Sequence, residues 1–143
     1  MIILGEKMVG IKKILVGVDG SKCSNEAVRY AAELSKKFEA TVTLLHVYRP
    51  PETTRELPAH EKREEAEVKL DDSKKIMDEL GVGCESIFSI GNPASMIIEE
   101  SGKGYDLIVM GSRGMGFVEG FLLGSTTTRV AHHAKIPVLI VHC

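Results

Sequence analysis

Residues 106–128, DLIVMGSRGMGFVEGFLLGSTTT, constrain this chain more than any other stretch. The run Asp106-Leu-Ile-Val-Met110 is apolar without alternation, as a strand buried on both faces must be. It stops at Gly111. Glycines return at 114, 116, 120 and 124, and Ser125 with three threonines opens a helical pattern that reaches Ala134. Strand, glycine-rich loop and Ser/Thr-rich helix start together suit phosphate. Glycines let the ligand approach the backbone, loop N–H groups point at it, and the helix N-terminus adds partial positive charge. The stretch predicts a nucleotide site.

The rest of the chain reads as the scaffold such a loop needs. Residues 12–19 form an apolar strand ending in an acid, and Asp19-Gly-Ser-Lys22 is a turn in which Ser21 or Ser24 caps a helix. Ala27, Ala31, Leu34 and Phe38 follow at helical spacing. A second, β-branched strand covers 41–47, and a loop from 48 to about 58 holds three of the five prolines. A long charged helix then runs to Leu80, with Ala66, Leu70, Met77 and Leu80 as its buried stripe and Gly81 as its stop. The third strand is expected over 82–90, and Asn92-Pro93 starts a short helix carrying Met96, Ile97 and Ile98, ended by Gly102 or Gly104. After strand 106–110 and helix 125–134, residues 137–141 make a fifth strand that Pro137 can open. Strands alternating with helices imply an α/β fold, a five-stranded parallel sheet with helices on both faces. Residues 1–10 read as an extension, with Met8 as good a start as Met1, and 11–143 as a single domain.

Composition excludes some partners. At 143 residues the chain can bury roughly two-thirds of its surface, and a formal charge of −2 favours neither nucleic acid nor an anionic membrane. No run approaches the ~20 apolar residues of a membrane span. Three cysteines, 23, 84 and 143, odd in number and unclustered, suit reduced thiols in a cytoplasm, as apolar filler or surface groups.

In such sheets a ligand lies beyond the C-terminal strand ends, where strand order reverses. Asp19 and Gly111 would face that crevice, the acid accepting from ribose hydroxyls or an adenine amine, or else merely capping the first helix. The P-loop pattern is absent because no lysine precedes Ser125, and Gly114-Met-Gly116 followed by Gly120 misses the dinucleotide fingerprint by one residue. What is present is Gly111-x2-Gly114-x9-Gly124-Ser125. With Lys13-Ile-Leu-Val-Gly-Val-Asp19, Leu44-Leu-His-Val47, Gly91-Asn-Pro-Ala94 and Pro137-Val-Leu-Ile-Val141, this motif makes the chain resemble the ATP-binding subgroup of the universal stress protein family.

The resemblance implies a Rossmann-like, adenine nucleotide α-hydrolase-like sheet of order 3-2-1-4-5. It places Gly17 and Asp19 beside ribose and adenine, and the backbone of Val42 on the adenine edge. Met110 and Gly111 would line base and sugar, while Arg113, Gly114, Gly124, Ser125, Thr126 and Thr127 wrap the phosphates. It also implies Mg²⁺ bridging the phosphates through ligand oxygens and water, a homodimer paired through strand 137–141, and an unidentified protein partner.

Other residues read as structural. His132 and His133 point about 100° apart on a helix and cannot share one metal. His46, inside an apolar strand, reads as a hydrogen-bonded core histidine, and Glu119 as a solvated loop acid. Met115 and Phe117 would pack the loop or cover the ligand. No catalytic residue is assigned: one arginine and no evident nucleophile or base give little for phosphoryl transfer, so a nucleotide-dependent switch fits better, with slow ATP hydrolysis as a timer compatible. Two other classes stay open. One is a nucleotide-independent dimeric adaptor. The other is an ATP-dependent ligase or amidating enzyme, against which the short Asp19-Gly-Ser-Lys turn counts.

Overall fold

The computed structural model describes residues 10–50, 59–114, 119–120 and 122–143. The expectations for the N-terminal extension, for most of the 48–58 loop, and for Met115 and Phe117 lie outside the described residues. The elements are β1 (Lys13–Gly17), α1 (Lys22–Phe38), β2 (Thr41–Tyr48), α2 (Ala59–Glu79), β3 (Glu85–Ile90), α3 (Pro93–Ser101), β4 (Leu107–Gly111), α4 (Ser125–His133) and β5 (Val138–Val141). All strand pairs are parallel, and the sheet order is β3-β2-β1-β4-β5, as expected.

Alternate strand residues feed two cores. Ile14, Val16, Val42, Leu44 and Val109 pack under α1 and α2 with Ala27, Val28, Ala31, Leu70 and Met77. Leu15, Leu45, Val47, Ile108 and Met110 pack on the opposite face with Ala94 and Ile97 of α3 and Val130 of α4. Each large aliphatic side chain buried this way contributes about 1.5–3 kcal/mol. Below β4, the Asp106 carboxylate accepts from the backbone N–H groups of Lys12 and Lys13 at 2.8 and 3.0 Å, tying the start of β1 to its neighbour.

Three expectations need correction. Strand β3 begins at Glu85, not Val82, because Val82 closes α2: its N–H donates to Met77 O at 3.0 Å and that of Gly81, at φ 74°, to Asp78 O, a paired helix stop. Phe38 is 45% exposed, because the buried stripe of α1 runs through Val28, Ala32 and Ser35 instead. The cysteines are not all thiols: Cys23 and Cys143 are joined by a disulfide, their Cα atoms 5.4 Å apart and 120 residues apart in sequence. Chain spacing could not show this, since β5 and the start of α1 meet only through the fold. Cys84 is the free cysteine, and burial pushes its thiol pKa up.

Candidate functional site

The first turn of α1 is closed by its own side chains. Ser21, the N-cap, accepts from Ser24 N–H at 3.2 Å; Asp19 Oδ1 accepts from Ser21 N–H at 2.9 Å; and Asp19 N–H donates to Ser24 Oγ at 3.1 Å. Asp19 therefore does cap this turn, and its other oxygen faces the glycine loop: a Cβ on Gly114 would stand 2.6 Å from Asp19 Oδ2. Behind it, His46 is buried and its Nδ1 shares a 2.8 Å hydrogen bond with Val18 O, as expected of a core histidine. Burial holds its pKa below the ordinary value, partly offset by that bond.

Beyond β4 the chain is arranged differently. Gly111 is squeezed against α1, where a Cβ would lie 2.7 Å from the backbone carbon of Cys23. Its carbonyl accepts from Thr127 Oγ1 at 2.8 Å, and Ser112 O accepts from Gly124 N–H at 2.7 Å, so α4 is pulled onto the end of the strand. Helix α4 then starts at Gly124 with extended backbone and no side-chain cap. Its first internal bond runs from Thr128 N–H to Gly124 O at 2.9 Å, which leaves the N–H groups of 125–127 without an intrahelical acceptor.

These N–H groups belong to the wall of a cavity of about 690 Å³ at the C-terminal edge of the sheet, over the point where β1 and β4 diverge. Of the expected residues, Gly17, Asp19, Met110, Gly111, Arg113, Gly114, Gly124, Ser125, Thr126 and Thr127 all line it. Thr127 is buried with its hydroxyl engaged on Gly111, so it braces the wall. Val42 is not there. It pairs with Ile14, three residues short of Gly17 and so about 10 Å down the strand, inside the α1–α2 core. β2 instead brings Leu45, Val47 and Arg49 to the cavity.

The lining combines two chemistries. Leu45, Val47, Ile97 and Met110 suit a planar base, and the open start of α4 with Arg113 and Arg129 suits an anion, with the Asp19 carboxylate beside Gly114. Arg129 went unnoticed in the sequence although it lies four residues after Ser125, on the same helix face. Among the described residues no group of three or more His, Cys, Asp or Glu could hold a metal.

Residues 10–142 match the universal stress protein family. The chain belongs to that family. It is 38% identical over 138 residues to universal stress protein MJ0531 of Methanocaldococcus jannaschii, which covers 91% of this chain and 81% of that protein. Among solved structures, hypothetical protein MJ0577 superposes with a TM-score of 0.78 at 30% identity, covering 94% of this chain and 98% of the other. A universal stress protein in complex with cAMP gives 0.76 at 26% identity, covering 93% and 98%. The family likeness thus spans sheet and cavity alike, and no helix among the described residues is long and apolar enough to cross a membrane.

Proposed function

We propose that this universal stress protein binds ATP in the cavity and acts as a nucleotide-dependent switch in a stress response. The observation that carries the reading is the start of α4. Among the described residues no side chain caps the first N–H groups of α4, and Ser125, Thr126 and Thr127 line one cavity with Arg113, Arg129 and the apolar Leu45, Val47, Ile97 and Met110. In this reading the base lies against Val47, Ile97 and Met110, the ribose near Gly17 and Asp19, and the phosphates along Gly114 and 124–126. Mg²⁺ is held by phosphate oxygens and water. The solved relative in complex with cAMP supports an adenine nucleotide as the ligand class.

The same proposal includes a cytoplasmic homodimer. What supports the dimer is β5: among the described residues it pairs only with β4, and Leu139 and Ile140 at this edge are only half-buried. Occupancy would then alter the surface offered to a protein partner.

The test is direct. The purified protein is denatured, any released nucleotide is identified by mass, and the stripped protein is titrated with ATP, ADP, AMP and cAMP with and without Mg²⁺. ATP binding that weakens in Asp19→Ala supports the reading. No binding of any adenine nucleotide sinks it.

A further inference from the structure

The disulfide lies directly beneath the proposed nucleotide site. Cys23 sits in the first turn of α1, buried, with its backbone against Gly111 and Ser112 Oγ 3.9 Å from its sulfur. Cys143 is exposed, two residues beyond Val141, whose carbonyl accepts from Ser112 N–H at 2.9 Å. Ser112 O in turn accepts from Gly124 N–H, the residue that opens α4. One covalent bond therefore clamps the Gly111–Ser112 segment between α1 and the chain leaving β5, and Ser112 carries the N-terminus of α4.

We propose that Cys23 and Cys143 form a thiol–disulfide exchange site, taking low-molecular-weight disulfides as substrate, whose oxidation state sets the rigidity of the glycine loop. For its ligand arm this rests on the nucleotide reading above. The chemistry balances by exchange. The exposed Cys143 thiolate attacks one sulfur of the oxidant and releases the first thiol. The Cys23 thiolate then attacks the Cys143 sulfur of the mixed disulfide and releases the second. One S–S bond breaks in the oxidant and one forms in the protein; the two protein thiols lose two protons and two electrons, which leave as two small-molecule thiols. Cys84, set among the α1–α2 core residues with its thiol pKa raised, takes no part. Reduction frees Cys143 and leaves the junction held by packing and the Ser112–Val141 bond alone.

The experiment uses the full chain equilibrated in oxidised or in reduced glutathione, with the bond assigned by peptide mapping and the loss of two hydrogens by mass. Hydrogen exchange is then read at Ser112 and Gly124, and ATP affinity in each state. The proposal expects at least roughly tenfold slower exchange at both amides in the oxidised protein. It also expects ATP to bind several-fold more tightly to that form. Cys143→Ser, which removes an exposed side chain, should behave as the reduced protein in either buffer, and Cys84→Ser should switch as wild type does. Thiols that persist in excess oxidised glutathione, or equal exchange in both states, overturn the proposal; equal ATP affinity overturns its coupling to the ligand. If neither form binds any nucleotide, the proposed ligand fails and the exchange difference alone decides the redox coupling.

Discussion

Two strand-to-helix turns lie side by side at the centre of the sheet, and they are finished in opposite ways. After β1, Asp19, Ser21 and Ser24 satisfy one another and close the start of α1. After β4, Gly124 supplies no side chain and the start of α4 stays open to the cavity. A glycine in place of a capping side chain costs a helix only a few tenths of a kcal/mol, and it leaves the N–H groups free for an external anion. Helix α1 carries its own cap, whereas the N-cap of α4 is a glycine with no side-chain hydrogen bond. The closed turn also serves the open one, because its Asp19 oxygen reaches Gly114.

The largest effect is expected at Gly114. A side chain there pushes on the Asp19 carboxylate, whose other oxygen accepts from Ser21 N–H, so Gly114→Val should keep the native circular dichroism while costing about 1 kcal/mol of stability. ATP affinity should drop by about 100-fold or more, as phosphate and ribose positions are lost together. Unimpaired binding by this variant would remove the loop from the site.

Closing the open turn is the next test. Gly124 has φ −67° and ψ 160°, a conformation any capping residue adopts, and a Cβ there meets nothing nearer than 3.5 Å. Gly124→Asp should therefore stabilise the fold by a few tenths of a kcal/mol while weakening ATP by about tenfold or more, its carboxylate occupying the N–H groups that the phosphates need. Chemical denaturation and calorimetry on one preparation read both signs. A variant that gains stability yet binds ATP as wild type does would mean the helix start is no phosphate site.

Opening the closed turn gives the converse. Ser21→Ala should cost about 1 kcal/mol of unfolding free energy and change ATP affinity by no more than about twofold. The smallest effect concerns the residue behind the turn. His46 is held below its unfolded value of 6.5, so the folded protein favours the neutral ring. Its contribution is present above 6.5 and is lost as pH falls through the lowered folded value, because the unfolded chain then binds the proton more readily. Melting temperature should decline over that window in wild type and decline less in His46→Asn.

How much of this could be read from the chain depends on how local each signal is. The alternation of strands and helices was legible because apolar runs and helical spacing are properties of neighbouring residues, whereas the strand order came with the family resemblance. An acid at a strand end and the glycine spacing likewise led to Asp19 and to a loop that line one cavity. The role of Gly111 was not legible: it is needed where the backbone of Cys23 packs on β4, a meeting of distant segments. The Cys23–Cys143 bond escaped for the same reason. Val42 came from the family resemblance and was misplaced, since only the pairing of β2 with β1 shows that Leu45 is the residue level with Gly17. Arg129 could have been found from its helical spacing to Ser125, whereas Arg49 had no such neighbour to mark it.

Whether nucleotide phosphate completes the uncapped start of α4 is decided by one titration. Nucleotide-stripped protein is titrated by calorimetry with ATP and, separately, with adenosine, which presents the same base and sugar without phosphate. ATP should bind, and adenosine should bind more than ~10-fold more weakly, since charge-assisted bonds to a phosphate are each worth more than about 1 kcal/mol. Equal affinities for the two ligands, or no heat with either, would mean that the start of α4 binds no nucleotide phosphate.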